Sequence, residues 1–215
     1  MAVTLDSVTR VLSQRLPMYK ARKPVYQTAM LASIEAALPR NVTRLLDIGG
    51  GTGIIAEAMH DLFGIPEVVS VDVHDRFLPG LSVTTTTYDG RTLPFPADRF
   101  DAVVINNVLH HVEPADRLPL LRECARVASG GVVVIKDHLA RGPIDHARLG
   151  ALDLLGNVPF SGMLRARYLS AREWASLAEA AGYRSEVVAA PAYRGRLFAI
   201  PFPNELEITM RWTRA

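Results

Sequence analysis

The sequence predicts an α/β fold, and three observations carry that prediction. The apolar run Leu45-Leu46-Asp47-Ile48 ends in Gly49-Gly50-Gly51-Thr52-Gly53, and Ile54 to Met59 then reads as the start of a helix. A second short apolar run, Val68-Val69-Ser70-Val71, ends on an acid, Asp72. Beyond it, β-branched runs and helical stretches alternate as far as residue 138, as in strands joined by crossover helices.

The first element is a strand, a tight glycine turn and a helix N-terminus, an arrangement that receives nucleotide-like ligands. Glycines suit it because a sharp turn requires positive φ and because a Cβ would hold a ligand off the backbone. The spacing is G-x-G-x-G, whereas dinucleotide folds use G-x-G-x-x-G. With Asp47 two residues before the first glycine, the stretch resembles the first motif of the class I S-adenosylmethionine-dependent methyltransferases. Asp72 lies about twenty residues past the glycines, where an acid accepts from both ribose hydroxyls. Capping of the turn after its own strand is the alternative.

Later elements follow the order of the same family. Leu81 to Thr87 is β-branched and predicts a third strand, followed by Tyr88-Asp89-Gly90. The resemblance places an acid here at the adenine amino group, while an Asp-Gly turn alone would also explain the pair. The stretch Leu93 to Val112, with its Leu109-His110-His111-Val112 ending, resembles the run into the fourth strand of small-molecule, type 11-like methyltransferases. Leu121 to Ala128 predicts a helix, Ser129-Gly130-Gly131 its stop, and Val132 to Ile135 a fifth strand. The resemblance covers residues 41–138 and the rest only through topology. It implies a Rossmann-like, seven-stranded, mostly parallel sheet with an antiparallel last strand and helices on both faces. N-terminal helices and a lid helix after strand five complete that expectation. It also implies S-adenosyl-L-methionine as cofactor and S-adenosyl-L-homocysteine as product. The cofactor-binding residues it points to are Asp47, Gly49, Gly51, Asp72, Val73, Asp89, Gly90, Asn106 and Asn107.

The flanking segments are expected to set specificity within a single domain spanning 1–215. Residues 1–40 predict a helical cap whose second helix runs from Val25 to Leu38 and stops at Pro39. Between its helices, Arg15 to Pro24 gathers basic residues around Tyr19, as an anion site or a solvated hinge. In the resembled enzymes this segment folds over the cofactor, so Tyr19 and Arg22 are expected to close the site. After strand five, residues 139–169 predict a lid insertion. Ile144, Ala147, Ala151, Leu152 and Leu155 fall at helical spacing, and Asn157 to Gly162 break the helix. The same stripe would also serve as core packing. Ser170 and Glu173 form a capping box for a helix ending near Gly182. Ser185 to Ala190 predicts strand six, and the alternation from Leu206 to Trp212 predicts strand seven. The connection, 191–205, is long enough to wall an acceptor pocket.

Composition agrees with one domain. At 215 residues and 49% hydrophobic content the chain can bury a full core, and its 24 basic and 22 acidic residues leave no strong field for nucleic acid. The lone Cys124, on a helix, forms no internal disulfide. No secretory signal and no run of about 20 apolar residues is visible, so a cytoplasmic protein without a membrane span is expected. The sequence says nothing about oligomeric state.

Methyl transfer from a sulfonium requires donor and acceptor held in line and water excluded. A hydroxyl acceptor also needs a base, which a carboxylate does not. Residues after strands four and five face the site by the carboxyl-end rule. Among them His138 and His111 are the expected catalytic side chains, and Asn106 the partner of the methionyl amino group. His138 could equally be a surface histidine bonded to a loop carbonyl, and of His110 and His111 one is expected in the pocket and one in the structure. No histidine pair falls beside carboxylates at metal-ligand spacing, so no metal is expected. These features predict methylation of a small-molecule acceptor, oxygen ahead of nitrogen. A nucleic-acid methyltransferase and a non-catalytic cofactor-binding protein are the alternatives. An NAD-dependent oxidoreductase would need a different glycine spacing, and nucleobase amino-group enzymes place Asn/Asp-Pro-Pro-aromatic where Asn106-Asn107-Val108-Leu109 stands.

Overall fold

The computed structural model describes residues 2–157, 166–190 and 192–215. Its strands are β1 (Arg44–Ile48), β2 (Glu67–Asp72), β3 (Thr84–Thr87), β4 (Ala102–Asn106), β5 (Val132–His138), β6 (Tyr183–Ala189) and β7 (Glu207–Arg214). They form one sheet in the order β3-β2-β1-β4-β5-β7-β6. β7 runs antiparallel to both β5 and β6, and the remaining pairs are parallel. The helices are α1 (Leu5–Arg15), α2 (Met18–Ala21), α3 (Val25–Ala37), α4 (Ile54–Phe63), α5 (Pro114–Val127), α6 (Pro143–Asn157), α7 (Ala171–Ala180) and α8 (Arg196–Ala199). This is the Rossmann-like architecture that the resemblance implies.

Alternation along the strands explains the two layers of helix. Leu45, Val104 and Val134 face α1, α3 and α4, whereas their neighbours Leu46, Val103 and Val133 face α5 and α7. Central strands buried on both faces read as continuous apolar runs, which is why β1, β2, β4 and β5 were legible. The N-terminal cap is fixed to this layer by a two-point contact: Arg15 Nε and Nη2 donate to Glu57 Oε2 and Oε1 at 3.2 and 2.9 Å.

Some boundaries differ from the sequence reading. β3 starts at Thr84, since Leu81 packs toward the Gly53 turn instead of pairing. β6 starts at Tyr183, because Gly182 at φ +78° turns the chain straight out of α7. The capping box of α7 is present, with Glu173 N–H donating to Ser170 Oγ at 3.3 Å and Ser170 N–H to Glu173 Oε2 at 2.8 Å. In α6 the expected apolar stripe is buried only in part, through half-buried Leu152 packed by Leu149 and Tyr168. Ile144 is 70% exposed and Ala147 and Ala151 are exposed, while Asp145, Leu149 and Asp153 turn inward. Each inward acid has partners there: Arg141 and Arg148 for Asp145, Tyr168 for Asp153. The expected break after α6 falls largely on 158–162, outside the described residues. Among the described residues no helix is long and apolar enough to cross a membrane.

Candidate active site

A cavity of about 770 Å³ opens at the carboxyl ends of β1, β2 and β4. The glycine turn forms its floor. Gly49 and Gly50 donate their N–H groups to the Val71 carbonyl at 2.7 and 3.1 Å, which locks the turn onto the end of β2. Gly49, Gly51 and Gly53 all have positive φ. A Cβ on Gly50 would collide with Ser70 Oγ, and one on Gly49 with Val108. Gly51 differs: nothing lies within 4 Å of where its Cβ would point, so the missing side chain leaves room for a ligand.

Asp47 lies beneath this floor, not in it. Its Oδ2 accepts from Ser70 Oγ at 2.7 Å, and it does not line the cavity. Burial pushes its carboxyl up to about 6; the Ser70 hydrogen bond opposes the shift and the charge of Asp72 adds to it. Asp72 does line the cavity and ties two turns together, accepting from Gly51 N–H at 2.8 Å and His74 N–H at 2.9 Å.

The next wall follows β3. Val73, Tyr88, Asp89 and Gly90 line it, with Gly90 at φ +81°. Asp89 Oδ1 accepts from Arg91 and Thr92 N–H at 2.8 and 2.7 Å, so it makes the turn expected of an Asp-Gly pair and faces the cavity as well. The N-terminal cap contributes Tyr19, Tyr26, Gln27 and Met30, whereas Arg22 is exposed and outside the lining.

After β4 the two asparagines divide their work. Asn107, at φ +56°, donates from Nδ2 to Tyr26 Oη at 2.5 Å and accepts from Lys136 Nζ at 2.9 Å. Asn106 Oδ1 is buried in the cavity wall without a hydrogen-bond partner among the described residues. A buried acceptor left open costs stability, and a ligand ammonium is the donor it fits. Together with the room over Gly51 and the carboxylate of Asp72, this matches a nucleoside-linked amino acid.

Of the expected catalytic histidines, His111 lines the cavity and His138 does not. His138 is buried behind the wall with His110, Asp137, Asp153 and Tyr168. No described residue of α6 or of the 192–205 connection lines the cavity. Tyr193 and Arg194 instead turn inward onto Glu207. Sequence reasoning missed Tyr26, Gln27 and Tyr88; only Tyr88, next to Asp89 after a strand, carried a positional signal. It also missed Asp153, which meets two histidines only through the packing of α6.

The glycine turn, Asp72 and the β4 asparagines thus meet in one cavity at the carboxyl ends of an open α/β sheet, where ligands of such sheets bind. A protein-family model described as "Methyltransferase domain" matches residues 21–188, and the chain belongs to that family, the class I S-adenosylmethionine-dependent methyltransferases. It is an enzyme family that uses S-adenosyl-L-methionine. The chain is 33% identical over 119 residues to a ubiquinone biosynthesis O-methyltransferase of Cereibacter sphaeroides, across 51% of this chain and 47% of that protein. It is 26% identical over 146 residues to a flavonoid 4'-O-methyltransferase of Glycine max, across 66% of this chain and 40% of that protein. The matches thus span about half or less of these curated relatives' length. The fold is shared with human N-acetylserotonin methyltransferase, solved in complex with SAM, at a TM-score of 0.63 and 17% identity, covering 98% of this chain and 59% of that one.

Proposed function

We propose that the chain methylates an oxygen of a small-molecule acceptor that carries an apolar or aromatic part. The observation that carries this reading is His111, an imidazole in the wall of the cofactor cavity close to Asn106 and Val108. O-methyltransferases of ubiquinone and flavonoid metabolism among the relatives support the same reaction class.

The bound cofactor supplies a methyl group already activated on sulfur, so the chain's task is placement and proton handling. Gly51 leaves space for the cofactor, Asp72 accepts from its ribose, and Val73, Asp89 and Gly90 bound its adenine. Asn106 Oδ1 accepts from its ammonium. Tyr19 and Tyr26 close the cavity from the cap and exclude water. His111 would take the acceptor's hydroxyl proton as the oxygen bonds to the methyl carbon, the sulfur–methyl bond breaking with its electron pair left on sulfur and S-adenosyl-L-homocysteine leaving.

The test is a panel of phenols, catechols and matched amines assayed for methyl transfer by mass spectrometry. Product on a hydroxyl, with His111→Ala lowering kcat by about 10²-fold or more and S-adenosyl-L-homocysteine affinity retained, is the expected result. Transfer only to amines or to carbon, or full activity in His111→Ala, would contradict it.

A further inference from the structure

Behind His111, two histidines and two carboxylates from three separate elements converge in the protein interior. His110 follows β4, Asp137 and His138 end β5, and Asp153 comes from α6. His110 is 2% exposed, His138 6% and Asp153 9%. His110 Nε2 stands 3.3 Å from Asp153 Oδ2, and His138 Nε2 stands 3.5 Å from Asp153 Oδ1. One ligand atom from each of the three residues lies within 4.8 Å of the others.

These separations are poor for hydrogen bonds, whose N–H···O mode is about 2.9–3.0 Å. His110 Nε2 has no hydrogen-bond partner among the described residues. Ligands at about 2.0–2.2 Å from a tetrahedral ion lie about 3.3–3.6 Å apart, and each histidine stands at such a distance from its own oxygen of the Asp153 carboxylate. The ring is oriented for it: His110 Nδ1 meets Asp137 Oδ1 at 2.5 Å, and Nε2 is the ring nitrogen that faces Asp153, where an ion would take the place of the second ring proton. A carboxylate behind a histidine is the usual outer-shell support of a metal ligand. Tyr168 Oη donates to Asp153 Oδ2 at 2.6 Å and orients that carboxylate in turn.

We infer that His110 Nε2, His138 Nε2 and the Asp153 carboxylate bind one divalent transition-metal ion of the zinc class, with Asp137 and Tyr168 as its outer support. Two imidazoles and one carboxylate suit such an ion, whereas magnesium or calcium would select an all-oxygen set. The ion joins α6 to the ends of β4 and β5, one imidazole away from the cavity: the His110 and His111 rings are 4.0 Å apart. It fixes the segment after β5 against the sheet through a coordinate bond.

The experiment uses the full chain, stripped with chelator and shown folded by circular dichroism. Zn²⁺ is titrated against a chromophoric chelator, and Co²⁺ against its visible ligand-field bands. The expected results are one Zn²⁺ per chain, intense four-coordinate Co²⁺ bands and a higher thermal midpoint with Zn²⁺. His138→Gln and Asp153→Asn should abolish the bands, and Asp137→Asn should weaken Zn²⁺ affinity by about 10–100-fold. His146→Gln, at an exposed histidine next to Tyr168, should bind as wild type. A folded wild type without one-to-one binding would overturn the inference. So would binding that survives in folded His138→Gln and Asp153→Asn, since the ion would then sit elsewhere.

Discussion

At the scale of single residues, Asp47 is a motif residue buried beside the glycine turn and outside the cavity lining. It lies under the glycine turn, and its carboxyl is held up at about 6 by burial. The unfolded value is about 3.9. A folded pKa above the unfolded one means that the folded chain binds more protons between them, so the contribution is complete below about pH 4 and lost by about pH 6–7. The shift corresponds to roughly 2–3 kcal/mol. Urea unfolding at pH 4.5 and pH 7 should therefore show wild type losing more stability than Asp47→Asn, which keeps the acceptor for Ser70 and carries no charge. Equal losses in the two proteins would show that Asp47 does not titrate in this range. The glycines, Asp72 and the β4 asparagines were legible because their spacing along one strand end is local. The orientation of the His110 ring and the open Oδ1 of Asn106 were not, since both depend on neighbours distant in sequence.

At the scale of elements, the buried Lys136 does what no sequence period announces. It lies at the end of β5 with Nζ 2.5 Å from Glu207 Oε2 on β7, 2.8 Å from Tyr26 Oη on α3 and 2.9 Å from Asn107 Oδ1 after β4. Against burial, the Lys136 charge draws Glu207 down to about 2, and Glu207 raises Lys136. Tyr193 and Arg194 complete the cluster on Glu207. One ammonium thus joins the antiparallel end of the sheet to the cap and to the cavity wall. Lys136→Met should cost about 1–3 kcal/mol, because it removes one of the two cations on a buried carboxylate and the donor to Asn107 Oδ1. Glu207→Gln should cost more, about 3–5 kcal/mol as read by chemical denaturation, because it leaves the buried Lys136 and Arg194 charges without their acid. A loss below about 1 kcal/mol in both variants would show that the cluster is not buried in solution. The apolar reading of α6 was met only at Leu152 among its described positions, for a related reason. Asp145 and Asp153 face inward because partners await them, and a hydrophobic stripe cannot register that.

At the scale of the whole molecule, strand order brings the glycine turn, Asp72 and the asparagines to one rim, and the N-terminal helices cover it from one side. That framework was legible from residue 41 to residue 138, where runs buried on both faces carry strong local signals. The ends were less so: the cap, the segment after β5 and the 192–205 connection take their places through contacts distant in sequence, among them Arg15–Glu57 and Tyr193–Glu207. The most direct measurement is calorimetric binding of S-adenosyl-L-homocysteine to wild type and to Asp72→Ala. One-to-one binding by wild type, weakened about 10- to 100-fold in the variant through lost charged hydrogen bonds, is the expected result. Equal affinity in the two proteins would mean that the cofactor does not lie across the end of β2, and the assignment of the cavity would fall with it.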